Sequence, residues 1–289
     1  MTQPSLQIAT GDLFAAVNPR GAQLWSLRVN GGPELAWTGD PASWPERALT
    51  LFPLIGPAPL GSSLPDHGFA RLRRFAVVEH TSDRLMLGLD DDPDSRAAYP
   101  FRFSLRISFA LDRGALRETI TVENAGDEAM PVDVGFHPGF AWPLEPTRAK
   151  EEYSVVFDAN EDAPIRRGAG DPIALRPETY PTPVNGRTLR LRDALFDDAA
   201  IVWDQVTSRG LTYGAPSGRG LRIEFPDSPH LALWMIPGSR FLAIEPWQGL
   251  PRPVDFAGAL DDKPGITWLL PGERRTWRLH VIPLQEVEW

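Results

Sequence analysis

The sequence predicts an all-β protein built as a large antiparallel β-sandwich. Thirty prolines and 25 glycines in 289 residues cut the chain into short segments. Many of those segments alternate apolar and polar residues, and the breaks leave little room for long helices. With 42% hydrophobic and 23% charged residues, the composition is that of a folded globular chain rather than a disordered one. The length suits one large β domain spanning 1–289.

In chain order, alternation marks strands at 22–29, 75–80, 84–89, 105–111 and 115–122. The last two flank Asp112-Arg113-Gly114 and predict an antiparallel hairpin. Further strands are expected at 132–137, 221–225, 231–235 and 241–245, and at 274–283 with Trp277, Leu279 and Val281 on one face. The proline-rich stretch 163–184 reads as a long irregular surface excursion between sheets. No internal repeat, heptad or Gly-rich phosphate loop is found.

Several function classes fall away on composition. The net charge of −9 is spread without a basic run, which argues against nucleic acid as a partner. An acidic surface repels anionic lipids, and no apolar run approaches the roughly 20 residues that span a bilayer, so no membrane attachment is expected. With no cysteine, disulfides, thiolate nucleophiles and Cys-based metal sites are excluded. Met1–Thr10 lacks the basic-then-apolar layout of a secretory signal, so a cytoplasmic location is expected. No feature argues for a particular oligomeric state.

Three segments combine chemistry with structure. In Gly135-Phe136-His137-Pro138-Gly139, alternation puts Val132, Val134 and Phe136 on one face and Asp133, Gly135 and His137 on the other. The absent side chain at Gly135 leaves room for a ligand beside the imidazole, and Pro138 is expected to end the ladder, placing His137 at a sheet boundary. The alternative is a strand-end histidine satisfied by a backbone carbonyl. In Phe241-Leu242-Ala243-Ile244-Glu245-Pro246-Trp247, a carboxylate follows an apolar strand, where desolvation raises its pKa toward the range of a general base. A structural Glu245 would need a buried arginine or several backbone donors. In His67-Gly68-Phe69-Ala70-Arg71, alternation aims His67 and Arg71 to one side, the arginine offering a planar fork for hydroxyls or a carboxylate; the alternative is an Arg71 paired with a structural acid. His80 and His280 read as solvent-facing, and His230 as a turn or site residue. Among ten tryptophans, exposed ones such as Trp247 or Trp234 would suit a pyranose face.

These segments together resemble the aldose 1-epimerase (galactose mutarotase-like) family, in its LacX-like bacterial branch. The resemblance runs through Gly21-Ala22-Gln23-Leu24-Trp25-Ser26-Leu27, Leu35-Ala36-Trp37-Thr38-Gly39-Asp40-Pro41 with Trp44, and Leu51-Phe52-Pro53-Leu54-Ile55-Gly56. It continues through the His67 and His137 segments to Glu245-Pro246-Trp247-Gln248-Gly249. It implies a sandwich of many antiparallel strands with an open concave face. It also implies a monosaccharide substrate held between Glu245 as base and His137 as acid, with His67, Arg71 and Arg47 as binding residues and no cofactor or metal. One departure is Gly56-Pro57, where many relatives have Gly-Arg.

A glycoside hydrolase needs a second carboxylate, for which Asp133 and Asp227 are the candidates. A metal enzyme needs ligands beyond His67 and His137. A hexose-6-phosphate epimerase needs a basic cluster, for which Arg71, Arg73 and Arg74 are adjacent, although alternation turns Arg74 away. A non-catalytic carbohydrate-binding module would use the same sandwich and aromatics.

Overall fold

The computed structural model describes residues 5–170 and 172–289. Residues 1–4, the start of the segment read for a targeting signal, and Asp171 of the proline-rich stretch lie outside the described residues. Two large antiparallel sheets share one continuous core, to which Phe109, Ile120, Phe136, Trp203 and Leu233 all belong.

One sheet has nine strands. In spatial order they are Thr188–Arg190, Ser154–Phe157, Gly210–Gly214, Gly220–Glu224, Arg274–Leu284, Ala115–Asn124, Phe103–Asp112, Arg84–Asp90 and Ala76–His80. It contains the predicted hairpin, Phe103–Asp112 with Ala115–Asn124. Phe103, Leu105, Ile107, Phe109 and Leu111 are buried while the residues between them are not, and Leu111 pairs with Leu116 and Ile107 with Ile120. The two-residue loop has positive φ at both Arg113 (50°) and Gly114 (76°), the backbone of a turn whose twist matches the flanking strands. Trp277, Leu279 and Val281 are buried together, as alternation requires.

The other large sheet carries the site. Its seven strands run Ala174–Tyr180, Ile165–Ala169, Ile201–Trp203, His230–Trp234, Phe241–Trp247, Gly135–Ala141 and Ala48–Leu51. Every residue of Phe241–Trp247 is buried, and so are the first six of Gly135–Ala141. Both faces of these central strands are covered, and near-continuous apolar runs replace strict alternation. Two smaller sheets, Leu6–Thr10 with Leu13–Asn18 and Gln23–Val29, and Met130–Val132 with Thr267–Leu269, complete the strands among the described residues.

Four expectations are corrected. The segment 132–137 is not one strand: it breaks at Asp133-Val134, because the Asp133 N–H donates to Pro53 O (2.9 Å) and the Val134 carbonyl accepts from the Gln248 N–H (2.9 Å). Pro138 does not end the ladder. It removes one donor, but the Gly139 N–H resumes bonding to Arg47 O at 2.8 Å and the strand continues to Ala141, leaving His137 in its interior. The stretch 163–184 is not irregular. It forms an edge hairpin of Ile165–Ala169 and Ala174–Tyr180, with a bulge between Arg166 and Gly168; Pro177 is tolerated on the outermost strand. Lastly, 67–71 is not extended: His67 has φ 59°, and Ala70–Leu72 is a single 3₁₀ turn.

Candidate active site

Sheet register brings the two principal candidates together. Gly135 pairs with Trp247 and Gly139 with Ala243, so the same antiparallel register sets His137 directly opposite Glu245. Side chains opposite each other on adjacent strands share a face, and His137 Nε2 lies 3.3 Å from Glu245 Oε2. Both residues are buried. They line a cavity of about 330 Å³, to which His67, Arg71, Trp234 and Trp247 also contribute.

Aromatic rings hold the histidine. The Trp44 ring centroid is 5.1 Å from that of His137, Trp234 lies edge-on at 5.6 Å and His67 edge-on at 5.9 Å. Gly139 makes this possible, since a Cβ there would sit 2.8 Å from Trp44 Cζ3 and 2.9 Å from Trp37 Cβ. Gly135, by contrast, leaves no room for a ligand: its missing side chain is replaced by Trp247, Ile55 and Leu51, all within 3.1 Å of a Cβ built there. Trp247 is buried rather than exposed, and only Trp234 of the two expected platforms is partly accessible.

Burial sets the electrostatics of the pair. It raises the Glu245 carboxyl well above its ordinary range, an effect the nearby Trp247 indole only partly offsets. Desolvation likewise lowers the His137 imidazole well below its usual value, with His67 and then Arg71 adding repulsion. Desolvation therefore pushes both members of the pair toward their neutral forms. Among the described residues, Nδ1 of His137 is buried without a hydrogen-bond partner, and the ring's polar contact in the cleft is made through Nε2.

His67 is held in a defined tautomer. Its backbone N–H donates to Gly56 O at 2.8 Å, and its ring Nδ1 accepts from the Gly56 N–H at 3.2 Å, which places the proton of the neutral ring on Nε2. Burial, reinforced by Arg71, lowers its pKa to about 4, and the ring is a neutral donor above that pH. Arg71 donates through Nη1 to Glu46 Oε1 at 2.9 Å and through Nε to Asp66 O at 3.1 Å. Thus His67 and Arg71 do converge on the cavity, through a left-handed residue and a 3₁₀ turn rather than through strand alternation.

Other candidates lie elsewhere. Arg47 does not line the cavity: its Nη1 donates to Trp25 O at 2.8 Å and its guanidinium stacks 4.3 Å from the Trp25 ring. Pro57 is also outside the lining. Asp133 is fully buried and 2.5 Å from Lys263 Nζ, and Asp227 pairs with Arg278 at 2.9 Å, so neither supplies a second carboxylate beside Glu245. Arg73 pairs with Asp92, and Arg74 bridges Arg20 through the main chain; the arginine trio does not gather in the cavity. His80, at the end of an exposed edge strand, approaches Gln7 O, His230 approaches Asp204 O, and His280 lies between Arg117 and Glu224. Among the described residues, no three His, Asp or Glu side chains gather to hold a metal ion, and no helix is long and apolar enough to cross a membrane.

The family model for aldose 1-epimerase matches residues 4–280. The chain belongs to the aldose 1-epimerase family. It is 32% identical over 269 residues to the plasmid form of protein LacX from Lactococcus lactis subsp. lactis, a match covering 87% of this chain and 90% of that protein. Among solved structures, it is similar to a galactose mutarotase-like protein from Lactobacillus casei ATCC 334, with TM-score 0.89, 25% identity and coverage of 97% of this chain and 100% of that one. A galactose mutarotase related enzyme from Lactobacillus acidophilus gives TM-score 0.87 at 25% identity, covering 99% and 100%.

In this member of the aldose 1-epimerase family, the cavity includes residues that pattern reading missed. Glu46 and Asp66 line it, yet both sit in loops with no periodicity to aim them; the adjoining Trp44 and His67 were the only local signals. Ile173, from the proline-rich hairpin, also reaches it. The His67 loop depends on Gly68, whose φ is 74° and whose added Cβ would lie 2.0 Å from Phe52 O. Gly68→Ala is therefore expected to lose about 2 kcal/mol or more of stability, read as a melting temperature lower by several degrees. An unchanged melting curve would show that the loop relaxes freely.

Proposed function

We propose that this protein is an aldose 1-epimerase that interconverts the α and β anomers of an unphosphorylated aldose by acid–base ring opening and reclosure. The observation that carries the reading is the 3.3 Å approach of His137 Nε2 and Glu245 Oε2 within an aromatic cavity of sugar size. A cyclic hemiacetal opens when a proton leaves the anomeric hydroxyl and another reaches the ring oxygen. Both oxygens are bonded to the same carbon, so an acid and a base on neighbouring strands can serve them together.

Sugar hydroxyls entering the cleft restore hydrogen bonds to both buried groups and favour their charged forms. The Glu245 carboxylate takes the proton from the anomeric hydroxyl, the carbonyl forms as the bond from the anomeric carbon to the ring oxygen breaks, and His137 gives its proton to that oxygen. Rotation about the bond between the first two carbons exposes the other carbonyl face. Reclosure with the proton transfers reversed yields the opposite anomer and returns both residues to their starting state. In this reading the Nε2–H of His67 and the Arg71 guanidinium hold hydroxyls, and Trp234 and Trp44 cover apolar ring faces.

Anomer exchange followed by NMR on glucose and galactose tests this. Acceleration over the buffer rate is expected for at least one of them. Sugar-induced change in tryptophan fluorescence without any acceleration would replace the enzyme by a binding module.

A further inference from the structure

We infer that Glu46 sets the charge specificity of the cleft, occupying the Arg71 guanidinium so that neutral sugars are admitted and anionic ones such as sugar phosphates are turned away. The inference rests on the sugar-site reading above and extends it to a residue with no part in the proton transfers.

Among the described residues, Arg71 is the only arginine or lysine lining the cavity, against the carboxyl groups of Glu46, Asp66 and Glu245. Its fork is already engaged. Nη1 donates to Glu46 Oε1 at 2.9 Å while Nε donates to the Asp66 carbonyl at 3.1 Å, and the side chains of the Arg71–Glu46 pair are only 19% and 36% exposed. Glu46 is held from its other side, since its Oε2 accepts from Trp44 Nε1 at 3.3 Å. The same Trp44 packs on His137. The carboxylate is thus fixed between the guanidinium and an aromatic wall of the site rather than left to swing in solvent.

An arginine engaged in this way can still offer its remaining N–H groups to a hydroxyl. It cannot welcome a phosphate as a free guanidinium would, because binding a dianion there means displacing Glu46 or leaving it unpaired beside the new charge. The neighbouring arginines do not compensate. Arg73 is committed to Asp92 and lines no part of the cavity, and Arg47 is folded onto Trp25.

Glu46→Gln tests the assignment, because the amide keeps an acceptor for Arg71 and a similar shape while removing the negative charge. Wild-type and variant proteins would be titrated with glucose and with glucose 6-phosphate by tryptophan fluorescence, and anomer exchange on both sugars followed by NMR. The expected result is preference for glucose in the wild type, and a variant whose ratio of glucose 6-phosphate to glucose affinity rises about tenfold, an effect of the size of one charge at the screened edge of a cleft. The gain should shrink at high salt. Glu46→Ala serves as a second variant and should shift the ratio in the same direction.

A ratio unchanged in both folded variants overturns the role of Glu46, as does a wild type that prefers the phosphorylated sugar. Wild-type glucose binding without exchange would instead defeat the enzyme reading while the titrations still decide the charge specificity. Failure of both sugars to bind any of the proteins would remove the sugar site and this inference with it.

Discussion

Glu245→Gln is expected to slow anomer exchange by about 10²- to 10⁴-fold, the range contributed by a positioned general acid or base. Gln keeps the shape of the side chain and cannot take the anomeric proton. The fold should survive, because the wild-type carboxyl is already buried and biased toward its neutral form; an amide in its place removes the penalty of ionising it. His137→Asn is expected to cost a comparable factor, and the double variant little more than either alone, since residues that act on one proton inventory are non-additive. NMR exchange rates on the substrate that wild type turns over, alongside thermal melts, give the check. Activity within tenfold of wild type in a folded Glu245→Gln protein would remove Glu245 from the reaction.

The second large effect concerns stability rather than chemistry. Glu118 lies on the core face of Ala115–Asn124, between Leu116 and Ile120 and opposite Phe109 and Leu279. Burial pushes its pKa from 4.5 to about 8. The folded state thus holds a proton that the unfolded chain releases near 4.5, and the stabilisation this gives is fully present below that pH and lost as pH rises through about 8. At about 1.4 kcal/mol per pH unit across that interval, the loss reaches as much as ~5 kcal/mol. Glu118→Gln should remove this pH dependence and leave the protein more stable than wild type by a few kcal/mol at pH 9, with a smaller difference at pH 5. Urea midpoints at the two pH values decide it; parallel midpoints in wild type and variant would mean that Glu118 reaches solvent or an unrecognised partner.

Glu118 also shows where pattern reading stops. Alternation along 115–122 correctly orients Leu116, Ile120 and Val122 inward, and the same periodicity puts a glutamate in their row. Nothing local says whether such a residue is buried or escapes at a sheet edge. That depends on the second sheet of the sandwich, which lies far away in sequence.

The all-β class, the hairpin about Asp112-Arg113-Gly114 and the short motifs that carry His137 and Glu245 were legible in the residues alone, because side-chain periodicity and turn residues act over a few residues. Family membership was legible in the same way, since several motifs stand in order along the chain. The assembly of the site depends instead on long-range packing. The 3.3 Å contact of His137 with Glu245 follows from the register between strands more than a hundred residues apart. The convergence of His67 and Arg71 follows from a left-handed backbone and a 3₁₀ turn instead of the expected alternation. The withdrawal of Arg47 onto Trp25 and the capture of Arg71 by Glu46 are side-chain choices among partners brought near by folding. Local pattern encodes which face a residue takes on its own strand; which residues meet across a cleft is set by long-range packing and charge pairing.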